Sequence, residues 1–304
     1  MTGFEPVDLG AWAEPPGGFR LSWTEEVLRD ALTYARRLGE RPYEVFLQGS
    51  YANRTNINQS SDVDLVVLLK LPFEENVAAL DHHDLDNFNE RYQQDPYGWK
   101  EFRTDVLASL RESFFVKAGD KCAGIHDWDS LVRVPADILP AIEYRLYSGF
   151  PAPGHEIYQD GVFFRNKARQ AIVNFPKQHL NNGNEKDLRT GRRFKQVVRI
   201  CKHLRRRAIK REELDKSAVP PYFIECLLYN VPDRIFRCGT LPQAVDGAFQ
   251  WLHECCHDDP RTFSSLLCQN GLIRIYGAGP DQWTVRQGTF AVDALRKAWT
   301  ELPT

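Results

Sequence analysis

The chain has 304 residues, 42% of them hydrophobic, which suits one large domain or two lobes around a real core. Lys and Arg (39) nearly balance Asp and Glu (41), and a formal net charge of −2 gives no global reason to expect a nucleic-acid coat protein, so any basic site has to be local. No run of about eighteen apolar residues exists to span a membrane. Met1-Thr2-Gly3-Phe4-Glu5-Pro6 lacks a signal peptide's charged start and apolar run, and the seven cysteines are odd in number; a reducing, cytoplasmic setting is expected.

The first residues, to about 20, are rich in Gly and Pro and are expected to wrap the surface. A helix is predicted from Ser22, with Glu25 completing a capping box, Val27, Leu28, Ala31, Ala35 and Leu38 on its apolar face, and Gly39 ending it. Residues 44–48 and 62–69 read as strands, with a polar, turn-like stretch at 52–61 between them. A second amphipathic helix is predicted over 99–115 through Trp99, Phe102, Val106, Leu110 and Phe114. Strands are expected at 121–126 and 131–139, joined by a turn at Asp127-Trp128-Asp129, and another at 161–166. After Pro176 the pattern is helical: 191–213, 221–229, 241–253 and 292–300. The expected class is α+β, with a strand-rich core over 1–175 and a helical lobe over 176–304 that closes a ligand cleft.

The chemistry concentrates at Gln48-Gly49-Ser50, followed across the polar turn by Asp62-Val63-Asp64. A glycine lets backbone N–H groups approach a triphosphate, and the serine hydroxyl adds a donor. Strand residues two apart share a face, so Asp62 and Asp64 project together while Val63, Leu65 and Val67 pack the other way. Two carboxylates facing one way repel unless a cation sits between them, and Mg²⁺ suits carboxylate oxygens together with substrate phosphates. Alone, Asp-x-Asp is most often a solvated strand end; after Gly49-Ser50 at the end of an apolar strand it reads as a nucleotidyl-transfer site. Two-metal chemistry asks for a third carboxylate, and Asp137, an acid inside the apolar run 132–140, is the best candidate. Taken alone, Asp137 reads better as a buried acid paired with Arg133 or Arg145; Asp105, Asp127 and Asp129 are rivals on a predicted helix or turn.

These residues resemble a known family. Residues 48–56 with Asp62-Val63-Asp64, Ala136-Asp137-Ile138-Leu139-Pro140 with Glu143-Tyr144-Arg145, and Asn174-Phe175-Pro176-Lys177-Gln178-His179 all fit the bacterial CD-NTases. So do residues 194–199 with Lys202, residues 225–232, and Gln282-Trp283-Thr284. This family is related to animal cyclic GMP-AMP synthase and oligoadenylate synthase, and the chain looks most like its clade E. The resemblance implies a polymerase-β-like nucleotidyltransferase core, a mixed sheet with flanking helices, plus a helical C-terminal lobe. It implies an enzyme that joins nucleoside triphosphates (ATP, UTP or GTP) into a cyclic di- or trinucleotide for CBASS anti-phage defence, where a separate effector responds to the product. Two Mg²⁺ ions per site are implied, with Mn²⁺ as a substitute, held by Asp62, Asp64 and Asp137; a monomer is expected.

The stripe Lys195, Arg199, Lys202 and Arg206 follows at i, i+4, i+7 and i+11 of the helix over 191–213. Such a stripe is usually a solvated face. The resemblance gives Lys195 a phosphate-binding role, with Arg199 and Lys202 as further candidates. Family members carry a Ser-Tyr pair before their Glu-x-Leu helix. Here the pair is Pro221-Tyr222, so Tyr222 keeps the ring that stacks on a base while the serine contact is absent, with Ser217 nearby. Some clade E relatives select uracil with an asparagine, a position that Asn166 fits and for which Asn174 is the other option. The cluster His253-Glu254-Cys255-Cys256-His257 with Cys268 reads as core thiols, so neither a structural zinc nor a DNA-binding insertion is expected. The rival functions are a nucleotidyltransferase that modifies RNA or protein, and an inactive nucleotide-binding sensor.

Overall fold

The computed structural model describes residues 7–16, 21–33, 35–58, 62–93, 95–125 and 135–302. The expected turn Asp127-Trp128-Asp129 and the strand residues His126 and 131–134 lie outside the described residues.

In chain order, α1 (Leu9–Ala13) and α2 (Leu21–Thr33) precede a 3-10 turn (Arg36–Leu38) and β1 (Tyr43–Gln48). Next come α3 (Gly49–Ala52), β2 (Val63–Asn76), α4 (His82–Arg91) and α5 (Trp99–Leu110). Strands β3 (Val116–Ala118), β4 (Ala123–Ile125), β5 (Ala136–Gly149), β6 (Ile157–Arg165) and β7 (Ala171–Asn174) follow. The rest is helical: α6 (Pro176–Arg189), α7 (Arg193–Lys210), α8 (Pro221–Asn230), α9 (Asp233–Arg237), α10 (Leu241–Asp258), α11 (Pro260–Ser265) and α12 (Val285–Thr300). These elements fall into two compact units. A sheet unit comprises Gly18–Gly49 and Ser60–Pro176, and a helical unit comprises Met1–Gly17, Ser50–Gln59 and Lys177–Thr304.

In the sheet unit the strands run β1-β2-β5-β4-β3, with β6 pairing β5 and β7 pairing β6. β2 and β5 are parallel and every other pair is antiparallel, so the sheet is mixed. β2 lies between two partners and is covered on both faces: Val63, Leu65, Val66, Val67 and Leu69 are wholly buried. Val66 and Leu68 share one face with Leu139, Ala141, Val162 and Phe164, and Trp99 of α5 seals that cluster while its indole N–H donates to Pro140 O at 2.9 Å.

Helix α5 stops at Leu110 rather than running to residue 115. Phe102, Val106 and Leu110 are wholly buried but Phe115 is 63% exposed, so the apolar face has nothing to cover beyond that turn. Gly39 adopts the left-handed conformation expected of a helix-ending glycine (φ 61°), but it closes the 3-10 turn rather than α2 itself.

The helical unit has its own core. α7 is its axis: Phe194, Val197, Val198, Ile200, Cys201 and Leu204 are buried, packed with α8, α10 and α12. α1 closes one side, where Trp12 stacks on His203 (centroids 4.7 Å, interplanar angle 11°). The fold is thus a mixed sheet with flanking helices followed by a helical domain.

Candidate active site

In the sheet unit, β1 delivers Gln48 opposite Asp64 across the antiparallel ladder. The chain then turns at Gly49, whose φ of 71° lies in the left-handed region. A Cβ at this position would lie 2.1 Å from Asp64 Oδ2, so only a glycine lets the carboxylate rest against the backbone here. On the other side, Asp64 stands in register with Asp137 of the parallel strand β5, and Gly124 of β4 faces Asp137 in turn. In-register neighbours point to the same face, so the two carboxylates share it. Asp62 is exposed just before the strand, and the ladder still holds next to it through the Val63 N–H to Pro135 O bond at 2.9 Å.

Like charges at adjacent register positions destabilise a sheet unless something positive offsets them. The donors are hard carboxylate oxygens at a partly exposed strand end, a set that fits a divalent cation of the magnesium or manganese type and not a thiolate-seeking one. Cys122 lies beside them, and its thiol is pushed up to about 12 by burial, then by Asp137 and Asp64. It therefore stays protonated at neutral pH and offers no thiolate ligand. A cleft of about 400 Å³ opens next to Asp137, lined also by Lys117, Lys121, Cys122 and Gly124.

Other acids and their partners stand elsewhere. Asp105 accepts the Tyr97 hydroxyl at 2.8 Å, while Asp127 and Asp129 lie outside the described residues. Arg145, one of the two arginines considered for Asp137, donates to Glu143 at 2.7 Å and lies over the Phe73 ring. Asn166 sits in the turn between β6 and β7, where its Oδ1 accepts the Gln170 N–H at 2.9 Å and its amide donates to the Gln170 side chain at 2.8 Å. Asn174 Oδ1 accepts the following residue's N–H at 2.8 Å.

The helical unit holds the remaining candidates. Ser50 begins the segment that belongs to this unit. Lys195 is buried, its ammonium on Asn184 Oδ1, and burial lowers its pKa, opposed by Asp187 and Glu225. Arg199 and Lys202 do not present an open phosphate-binding stripe. Arg199 donates to Ala13 O and Arg54 O, both at 2.5 Å. Lys202 donates to Thr55 O at 3.0 Å, Thr55 Oγ1 at 2.9 Å and Glu225 Oε1 at 2.5 Å. The physical reason is burial: both side chains are about as hidden as the core, and a buried cation must find internal partners. The Tyr222 ring stacks on His179 (centroids 5.1 Å, interplanar angle 25°) with Trp283 beyond it.

Glu225 organises this part of the molecule, and no role for it follows from the sequence pattern alone. Its Oε1 accepts from Thr55 and Lys202, and its Oε2 accepts the Asn53 amide at 3.1 Å and meets His179 Nε2 at 2.9 Å. Burial pushes its carboxyl up, but Lys202 and then His179 more than offset this and hold it well below the usual carboxylate range. Residues 53–56, immediately after the Gly-Ser turn, are thereby tied to α7 and α8. The available signal is a lone glutamate in Phe223-Ile224-Glu225-Cys226-Leu227-Leu228: an acid inside an apolar helix turn needs a buried cation.

Comparison with known proteins agrees with this architecture. Residues 28–150 match the nucleotidyltransferase domain, and residues 181–300 match the cGAS/DncV-like nucleotidyltransferase C-terminal helical domain. The chain is 33% identical to the cyclic nucleotide synthase CdnE01 of Staphylococcus haemolyticus, covering 85% of each protein. It is 30% identical to the cyclic UMP-AMP synthase of Rhodothermus marinus over 96% of each. The solved structure of that CdnE enzyme with Apcpp and Upnpp superposes with a TM-score of 0.83 over 98% of both chains. The CdnE cyclic dinucleotide synthase of Elizabethkingia meningoseptica, solved with GTP and Apcpp, superposes at 0.77 with 26% identity, over 99% of this chain and 100% of that one. The chain therefore belongs to the cGAS/DncV-like nucleotidyltransferases, the CD-NTases, and within them to the CdnE group.

Proposed function

We propose that the protein joins two or three ribonucleoside triphosphates into a cyclic oligonucleotide, releasing pyrophosphate at each transfer. The observation that carries this reading is the in-register pair Asp64 and Asp137 with Gly49 pressed against one of them. Asp62, Asp64 and Asp137 would hold two divalent ions, Mg²⁺ in the cell and Mn²⁺ as a substitute. Bound there, such ions lower the pKa of an acceptor ribose hydroxyl and offset charge on the α-phosphate.

The residues of the chain do the positioning. Gly49 leaves the backbone bare enough for a triphosphate to approach, Ser50 adds a hydroxyl donor, and Lys195 supplies a cation against phosphate charge. Tyr222 offers a ring for a base. Catalysis is then largely placement and charge stabilisation. The acceptor is another nucleotide, as the names of the relatives suggest; among them, uridine-adenosine and dipurine products both occur, so the base pair made here is read by experiment. The product would act as a second messenger for a separate CBASS effector.

Incubation with all four ribonucleoside triphosphates and Mg²⁺, then phosphatase and mass spectrometry, tests the proposal. Phosphatase-resistant cyclic phosphodiesters are expected. A product that appears only when RNA or protein is added as acceptor would replace it with a modifying nucleotidyltransferase, and no product with Mg²⁺ or Mn²⁺ would overturn it.

A further inference from the structure

On the outer face of the helical unit, His253 and His257 are four residues apart on α10 and so share one side of it. Their rings stand 4.4 Å apart between centroids. Both aim Nε2 at the same atom, Asp293 Oδ1 on α12: His257 at 3.0 Å and His253 at 3.9 Å. The three ligand atoms lie within 4.8 Å of one another, the one set of this kind among the described residues.

We propose that His253, His257 and Asp293 form a binding site for a divalent transition-metal ion, zinc in the first place, that ties α10 to α12. Two imidazoles and a carboxylate are the donor set of many zinc sites, with water free to complete a tetrahedron. Ligands about 2.0–2.1 Å from zinc stand roughly 3.4 Å apart in a tetrahedron, and 3.0 and 3.9 Å bracket that spacing. The 3.0 Å contact has hydrogen-bond length, whereas the second nitrogen, at 3.9 Å from the same oxygen, is beyond it and at a spacing that a shared ion would bridge. The flanking Cys255 and Cys256 take no part. Both are buried, their thiols are pushed up to about 11 chiefly by burial, and Cys256 bonds back to His253 O at 3.3 Å. The buried thiols fit the reading of the cysteines as core residues, whereas a zinc ion on the histidines beside them departs from the expectation of no structural zinc. The three side chains are 35%, 40% and 44% exposed, so the site is open to exchange and loads from solution.

The test is Co²⁺ and Zn²⁺ titration of the full-length protein. One equivalent of Co²⁺ should give visible d–d absorption of a nitrogen- and oxygen-ligated, low-coordinate ion with no sulfur-to-cobalt charge-transfer band. Ions held by the strand carboxylates would be six-coordinate, weakly absorbing and common to every variant. Zn²⁺ should displace the colour and raise the melting temperature by about 2–4 °C. His253→Ala/His257→Ala should abolish the band and the shift, and Asp293→Asn should weaken Zn²⁺ binding at least about tenfold. These are surface positions, and nucleotide synthesis by the variants should match the parent. A band that survives in the double histidine variant, a charge-transfer band from thiolate, or no low-coordinate signal in the parent would each overturn the proposal.

Discussion

The sheet unit and the helical unit both bring carboxylates close to other charges, in opposite ways. At the end of β2, Asp64 stands beside a second acid, Asp137, and the strand end is partly exposed. In the helical unit Glu225 is wholly enclosed and stands against Lys202 and His179. Two acids in register at an open edge favour a cation between them, whereas the enclosed acid stands directly against an ammonium. Sites for ligands and sites for architecture use the same residue types, and the sign of the nearest neighbour tells them apart.

That contrast can be broken from either side. The largest effect is expected from Asp64→Asn, which should lower cyclic-product formation about a thousandfold or more while the urea midpoint stays close to the parent's. A midpoint that falls sharply would make Asp64 architectural. Next, Glu225→Gln leaves the Lys202 ammonium buried without its counter-ion and should cost about 3–5 kcal/mol in urea unfolding. Adding Lys202→Met should restore part of that loss; no recovery would mean that the pair contributes little of the cost.

The smallest effect concerns His203 beneath Trp12. Burial and then Arg206 hold its imidazole down at about 4, against about 6.5 in the unfolded chain. The unfolded chain therefore binds the extra proton between these values. Stability is full above pH 6.5 and declines as pH falls toward 4, by about 1 kcal/mol once solvent screening is allowed for. Urea midpoints from pH 8 to 4.5 measure this, and His203→Phe should flatten the slope.

The candidate acids Asp62 and Asp64 were legible as a spaced pair without knowledge of the partner strands, although Asp62 stands just before β2 and not on it as the alternation predicts. Pairing Asp64 with Asp137 needed the parallel register of β2 and β5, which no local pattern carries. The small strands β3 and β7, three and four residues long, are too short for periodicity to register. The basic stripe on α7 is a related case. Spacing shows that Lys195, Arg199 and Lys202 share a side of the helix, but only packing shows that this side faces inward. Glu225 was visible as an oddity in an apolar helix, and its four partners came from segments as far as 172 residues away.

The way in which α7 grips the segment after Gly49 has an evolutionary corollary. Arg199 holds the carbonyls of Ala13 and Arg54, and Lys202 holds the carbonyl of Thr55. A carbonyl is the same whichever amino acid bears it. Arg54, which sits at a φ of 55° that glycine or asparagine adopts more easily, can drift without loosening the grip. Mutational tolerance should therefore be lopsided: broad at residue 54 on the gripped strand of chain, and narrow at residues 199 and 202 on the helix that grips it.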